Sequence, residues 1–285
     1  MVRRNQDHPN QDFPKNSRAN DARPKIGAVS YLNTKPLVEG MEEVGPEFEI
    51  VYDLPSRLAD RLAAGELTAA LIPSVEANSA DYTIVSDACI GCRGPVWSVK
   101  LLGRVAPDQI QTLALDEGSR TSCVLAQVIL DKKFGIHPEC QPLKISADWR
   151  QSTADAVLII GDRAMKVDDR DYAFSWDLGA AWFEMTGLPF VFAVWAARPS
   201  QHLNELDWAL SAARDTGLEN LERIAARYAD AYDLTREECL RYLRYNLHFQ
   251  LGADEKAGLQ LFFQYAAELS LINQNKLQFH DCTTA

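Results

Sequence analysis

Along the chain, short unbroken apolar runs alternate with longer stretches in which apolar residues recur every three or four positions, the pattern of buried strands interleaved with amphipathic helices. Ile26 to Ser30 is the first such run. Tyr31-Leu32-Asn33-Thr34-Lys35-Pro36-Leu37 follows it with polar groups and a proline suited to a helix's first turn. Between Asp53 and Ala64, Leu54, Leu58 and Leu62 share one helical face, with Pro55 in the first turn and Gly65 as a stop. Ala69 to Ile72 then predicts a buried strand, broken by Pro73 and followed by Ser74-Val75-Glu76.

The same order returns further on. Leu113 to Asp116 predicts a strand, Glu117 to Ser122 a polar loop, and a helix runs to about Lys133. Asp155 to Ile160 predicts the second buried strand of this copy, ended by Gly161-Asp162-Arg163. The strands of each copy stand equally far apart, Gly27 to Ala70 and Ala114 to Val157, but loop lengths vary freely, and it is the shared order of elements that leads to the expectation of two similar α/β lobes. Gly94 to Leu102 predicts a strand carrying the chain to the second lobe, and Phe190 to Ala197 one bringing it back, which makes a two-strand hinge. Residues 25–98 and 191–285 are then a discontinuous first lobe, residues 99–190 the second, and residues 1–24, rich in Asn, Asp, Arg and Pro, a disordered extension.

From about Leu203 the pattern is helical, with Thr235-Arg236-Glu237-Glu238 as a capping box and a last amphipathic segment from Asp254 to Ile272. Its aromatic residues Tyr242, Tyr245, Phe249, Phe262, Phe263 and Tyr265 fall near helical spacing and read as core packing.

At 285 residues, 47% of them apolar, the chain can build a core in each lobe. Its net charge of -11 sets a field that opposes nucleic-acid phosphates and anionic membrane surfaces, so an anionic ligand must be held by local donors. Met1 to Pro24 contains no apolar signal-peptide core and no bilayer-length run, which makes the cytoplasm the expected location. The six cysteines are scattered through mostly apolar segments, as reduced core thiols would be. Cys89-Ile-Gly-Cys92 has a metal-like or redox-like spacing, but no second Cys/His pair accompanies it and Gly94-Pro95 blocks a following helix; two thiols in a tight loop before a strand are expected, and no metal site.

In open parallel sheets, ligands bind beyond the carboxyl ends of the strands. That rule selects Ser30 to Asn33, Ser74, Ser98, Ser119 to Ser122 and Gly161 to Arg163. Ser119-Arg120-Thr121-Ser122 places hydroxyls at a helix start, where unpaired N–H donors form a carboxylate or phosphate cradle; the same residues also suit an ordinary cap with a solvated Arg. Asn33 could donate and accept toward a ligand, or cap the helix after it. His8, His137, His202, His248 and His280 all avoid these clusters, and neither a Gly-x-Gly-x-x-Gly turn nor a P-loop is present. Glu76, Asp116, Glu117 and Asp162 stand near strand ends, where a general base and a surface or Arg-paired carboxylate are both open readings.

Gly27-Ala28-Val29-Ser30-Tyr31-Leu32-Asn33-Thr34-Lys35-Pro36-Leu37, Leu71-Ile72-Pro73-Ser74-Val75-Glu76, Gly94-Pro95-Val96-Trp97-Ser98-Val99, Leu115 to Ser122, Ile160-Gly161-Asp162 and Gly187 to Phe192 resemble, in that order, the chorismate dehydratases of the futalosine route to menaquinone. The resemblance covers about residue 25 to the C-terminus. It implies a periplasmic-binding-protein-like (type 2) fold and a cofactor-free loss of water from the dianion chorismate, giving 3-[(1-carboxyvinyl)oxy]benzoate. Applied to these residues, it implies that Ser119, Thr121 and Ser122 grip a carboxylate with Arg120 as helper, that Asn33 is catalytic, and that Ser30, Ser74, Ser98 and Gly161 complete the substrate site. The related 1,4-dihydroxy-6-naphthoate synthases carry a Ser-Pro-Cys-Pro-like stretch where this chain has Tyr31-Leu32-Asn33. A non-catalytic solute-binding protein shares the fold and predicts export. A regulator's effector domain does too, but no helix-turn-helix precedes residue 25.

Overall fold

The computed structural model describes residues 23–78, 81–198, 203–273 and 277–280; the extension expected before residue 25 lies outside them except for its last two residues. In chain order the strands are β1 (Lys25–Val29), β2 (Glu49–Asp53), β3 (Ala69–Pro73), β4 (Thr83–Cys92), β5 (Val99–Gly103), β6 (Thr112–Asp116), β7 (Glu139–Leu143), β8 (Ala156–Ile160), β9 (Phe174–Asp177), β10 (Phe190–Ala197) and β11 (His248–Gln250). The helices are α1 (Lys35–Val38), α2 (Met41–Val44), α3 (Pro55–Ala63), α4 (Arg120–Phe134), α5 (Asp162–Met165), α6 (Leu178–Thr186), α7 (Leu203–Glu219), α8 (Leu221–Tyr228), α9 (Arg236–Arg241) and α10 (Ala253–Glu268). Residues Tyr242–Asn246 continue α9 as a π-helical turn.

Two sheets result, ordered β11-β4-β10-β3-β1-β2 and β7-β6-β8-β5-β9. β1 runs parallel to β2 and β3, and β6 parallel to β7 and β8. Next to each parallel trio lies one antiparallel strand at a crossing between the sheets: β10, with which the chain returns to the first sheet, against β3, and β5, with which it enters the second, against β8. Every residue of β3, β8 and β10 is buried, which is why these strands are continuous apolar runs with no alternation. The repeat extends to register, because Gly27 pairs with Ala70 across β1 and β3 as Ala114 pairs with Val157 across β6 and β8. Strands from residues 25–92, 190–197 and 248–250 thus make one sheet, and strands from residues 99–177 the other.

Four expectations change. The first crossing is not strand along its whole length: residues 93–98 are irregular, with Gly94 at φ 127° and Trp97 at φ 66°. Trp97 is a bulky residue in a region L-residues avoid, and Asp177 holds it there. The Asp177 carboxylate accepts the N–H groups of Val96 (2.9 Å) and Trp97 (2.6 Å) and, as N-cap of α6, that of Ala180 (3.0 Å). Cys89 and Cys92 lie within β4 rather than in a loop, because β10 and β11 flank that segment and bury both thiols, and burial pushes both thiols up. The C-terminal third is interrupted by β11, which joins the first sheet. Two edge strands, β2 and β7, lie where no strand was expected; Glu49, Tyr52, Glu139, Gln141 and Pro142 give them exposed, polar or proline-bearing surfaces.

Aromatic packing joins the halves. The buried Trp182 of α6 meets Phe190 of β10 edge-on at 5.3 Å and Phe262 of α10 at 6.2 Å, and its indole N–H donates to the Pro189 carbonyl at 3.1 Å. α7 crosses α1 so closely that a Cβ on Gly217 would stand 1.9 Å from the Pro36 carbonyl oxygen.

Replacing Asp177 by Ala leaves three N–H groups without their carboxylate at the first crossing. The variant should lose about 3 kcal/mol of stability, read as a lower urea midpoint at unchanged slope.

Candidate active site

The carboxyl ends of β1, β3 and β8 converge, with the start of α4, on a cleft between the sheets. Val29, Pro73 and Ile160 are the strand ends that reach it, and Pro55, Val96, Val99 and Phe192 extend its apolar wall. Its polar lining is Tyr31, Asn33, Ser98, Ser119, Ser122 and Gly161. Among the described lining residues Tyr31 alone has an ionisable side chain, and burial, followed by the Asp116 and Asp162 carboxylates, pushes its phenol upward and keeps it neutral. The cleft therefore offers neutral donors and acceptors rather than charges.

The α4 start divides by direction. Ser119 is the N-cap: its hydroxyl accepts the N–H of Ser122 at 3.2 Å and lies 2.9 Å from the Ser122 hydroxyl, and both side chains line the cleft. Arg120 turns away, pairing with Asp60 at 2.9 Å and Glu76 at 3.2 Å on the first half of the chain. Thr121 accepts the Val75 N–H at 3.2 Å and sits 3.4 Å from the Ser74 hydroxyl, which donates to the Val191 carbonyl at 2.8 Å. Of the residues selected from sequence, Asn33, Ser98, Ser119, Ser122 and Gly161 meet in the cleft; Ser74, Arg120 and Thr121 instead fasten α4 to the first sheet. Ser30 is exposed beside the site, its carbonyl accepting the Tyr232 hydroxyl at 3.0 Å.

Gly161 shapes the opposite wall. Its φ of 74° and ψ of -159° belong to a region essentially restricted to glycine, its N–H donates to the Ser98 carbonyl at 2.8 Å, and a Cβ there would stand 3.4 Å from the Tyr31 ring. Behind the wall, the Tyr242 hydroxyl donates to Ser98 Oγ at 2.9 Å. Tyr242, read from sequence as core packing, is buried as expected but also belongs to the polar network of the site. The signal available in the sequence was general: a buried phenol needs a partner.

The acids near the strand ends are largely occupied. Asp116 is fully buried, paired with Arg163 and accepting the N–H groups of Gly118 at 3.0 Å and Ile160 at 3.2 Å. Glu117 accepts the Ile145 N–H at 3.1 Å. Asp162 differs: burial pushes its carboxyl up to about 6, partly offset by the Leu32 N–H that it accepts and by Lys35. Tyr31, Tyr232, Tyr242 and Cys239 also feel its charge, but it is not a lining residue. None of the described histidines lines the cleft, no described group of three or more His, Cys, Asp or Glu side chains could hold a metal ion, and no described helix is long and apolar enough to cross a membrane.

Comparison with known proteins places this geometry. A family model described as menaquinone biosynthesis matches residues 24–268. A chorismate dehydratase of Thermus thermophilus is 29% identical over 259 residues, covering 83% of this chain and 93% of that protein. One of Campylobacter jejuni is 27% identical over 241 residues, covering 85% and 92%. Among solved structures, a protein of Archaeoglobus fulgidus aligns at TM-score 0.67 with 16% identity, over 87% of this chain and 98% of its own. The periplasmic aliphatic sulphonate binding protein of Escherichia coli aligns at 0.55 with 15% identity, over 92% and 94%. A Candida albicans protein described as having the generic periplasmic binding protein fold aligns at 0.54 with 14% identity, over 92% and 99%. The fold is the two-lobed periplasmic-binding-protein-like α/β fold.

Because Asp162 is raised from an ordinary 3.8 to about 6, its contribution to stability is full below about pH 4 and is lost as pH rises through about 6. Asp162→Asn, a neutral isostere that still accepts the Leu32 N–H, lacks this loss. Urea titrations at pH 4 and pH 7.5 should show wild type falling relative to the variant by on the order of 2 kcal/mol.

Proposed function

This chain belongs to the menaquinone-biosynthesis family, and from that membership we infer that it is a carbon–oxygen lyase that removes water from chorismate, giving 3-[(1-carboxyvinyl)oxy]benzoate. The observation that carries the reading at this site is the cleft itself: neutral donors converge with the N-terminus of a 15-residue helix, and among the described residues no carboxylate or cation lines the space. Chorismate brings two carboxylates of its own. A helix start bearing Ser119 and Ser122 supplies N–H and hydroxyl donors for one of them, worth most where water is excluded.

The elimination needs a proton removed from the ring carbon beside the ether oxygen and a hydroxide lost from the adjacent carbon. The C–H electron pair becomes the new ring double bond, the C–O pair leaves with the hydroxyl, and the ring becomes aromatic. With so much of the driving force intrinsic to the substrate, the protein contributes chiefly by fixing one conformer and excluding water. The substrate's enolpyruvyl carboxylate takes the ring proton, Asn33 orients that carboxylate from the first sheet, and the transferred proton balances the departing hydroxide as water.

Purified protein incubated with chorismate should yield the aromatic ether by chromatography. Recovery of intact chorismate would identify a binding protein instead. Asn33→Ala should retain its fold and lose about 100-fold or more in turnover, while a near wild-type rate removes Asn33 from the mechanism. In Ser119→Ala/Ser122→Ala the dissociation constant for the product, which keeps both carboxylates, should rise about tenfold or more in calorimetry, and an unchanged constant rules out the cradle.

A further inference from the structure

Arg120 and Thr121 are the first two residues of α4 after the Ser119 cap, so their backbone N–H groups have no partner within the helix and belong to the donors that the helix start presents. Their side chains leave in another direction. The Arg120 guanidinium reaches carboxylates on two separate elements of the first half of the chain, Asp60 on α3 at 2.9 Å and Glu76, in the helical turn Ser74–Asn78 after β3, at 3.2 Å. The Thr121 hydroxyl accepts the Val75 N–H of that same turn at 3.2 Å and sits 3.4 Å from Ser74 Oγ, which donates to the Val191 carbonyl of β10. Within one turn of helix, Ser119 and Ser122 line the cleft while Arg120 and Thr121 tie the helix start to the first sheet.

That attachment bears on a distance. The cradle at the α4 start belongs to the second half of the chain, whereas Asn33 follows β1 in the first sheet, and both line the cleft. A ligand with a carboxylate at each end needs the two at a fixed separation; a ligand with one carboxylate does not. A guanidinium is a planar fork, and with one terminal nitrogen on each of two carboxylates it fixes direction as well as distance, which the point charge of an ammonium does not. Neither Asp60 nor Glu76 lines the cleft. Acting only through their field, these two negative charges would weaken the binding of a dianion.

We propose that Arg120 is a positioning residue that determines specificity: by tying the α4 start to α3 and to the turn after β3, it sets the span between the cradle and Asn33 and so selects ligands whose two carboxylates match that span. The role rests on the reading of Ser119 and Ser122 as a carboxylate cradle and of the substrate as a dianion.

Two variants separate a tether from a field. Arg120→Lys keeps the charge and loses the fork, and Asp60→Asn/Glu76→Gln removes both partner charges outside the cleft. In each, the dissociation constant for the product dianion should rise about threefold to tenfold in calorimetry, while that for benzoate, a single carboxylate, should change less than about twofold. Tighter dianion binding in Asp60→Asn/Glu76→Gln would show the field at work, or Arg120 released to serve as a ligand group, and overturns the proposal. Equal weakening of both ligands overturns it too, since the tether would then shape the cradle and not the span. A readout without any ligand keeps this apart from the functional reading. The Val75 N–H, bonded across the junction to Thr121, should exchange with solvent about threefold or more faster in Arg120→Lys, while the Leu71 N–H within β3 keeps its wild-type rate, even if chorismate proves not to be the substrate. An unchanged Val75 rate refutes the tether whatever the ligand.

Discussion

The chain crosses between the sheets twice, and each crossing delivers the antiparallel strand that lies beside a parallel trio. β5 enters the second sheet beside β8, and β10 returns to the first beside β3 and β4, where Phe190 pairs with Cys92, so the two crossings lie side by side. A βαβ unit presents its strand carboxyl ends in one direction, and the paired crossings hold the two sets of ends facing each other. The cleft lies between them. Ser98 terminates one crossing and accepts the buried phenol of Tyr242 from the C-terminal third. Asp177 keeps the first crossing in its unfavourable backbone shape by taking two of its N–H groups while capping the next helix, one carboxylate serving both the crossing and the second sheet's last strand.

Those parts of the architecture fixed by burial on both faces could be read from residue order. The apolar runs of β3, β8 and β10 have no polar interruption, and the equal spacing of Gly27 with Ala70 and of Ala114 with Val157 turned out to be shared strand register. Elements whose stability comes from one neighbour were invisible. β2 and β7 are edge strands with Glu, Gln, Tyr or Pro on open faces, β9 is four residues long, and β11 is three residues following a π-turn. Hydrophobic periodicity has no purchase on such segments.

The site shows the same division. Strand-end position was enough to select Asn33, Ser98, Ser119, Ser122 and Gly161, all of which line the cleft. It did not say which way a side chain points. Consecutive residues at the start of α4 diverge by about 100° per position, so Ser119 and Ser122 face inward while Arg120 and Thr121 spend their polar groups on Asp60, Glu76, Val75 and Ser74. Tyr242 lies 144 residues from its partner Ser98 along the chain, a separation at which only three-dimensional structure reveals a pairing.

Gly161 bears on how this cleft could diversify. Its backbone angles are ones that side-chain-bearing residues rarely adopt, while a Cβ would meet the Tyr31 ring only at ordinary contact distance, so it is the backbone that fixes the wall at this position. Variation in ligand preference must then come from the residues facing it, such as Asn33, Ser98 and Phe192, whose backbones impose no such limit. A scaffold shared by solute binders and enzymes would in this chain evolve new specificities from one side of its cleft, with the other wall an inherited constant.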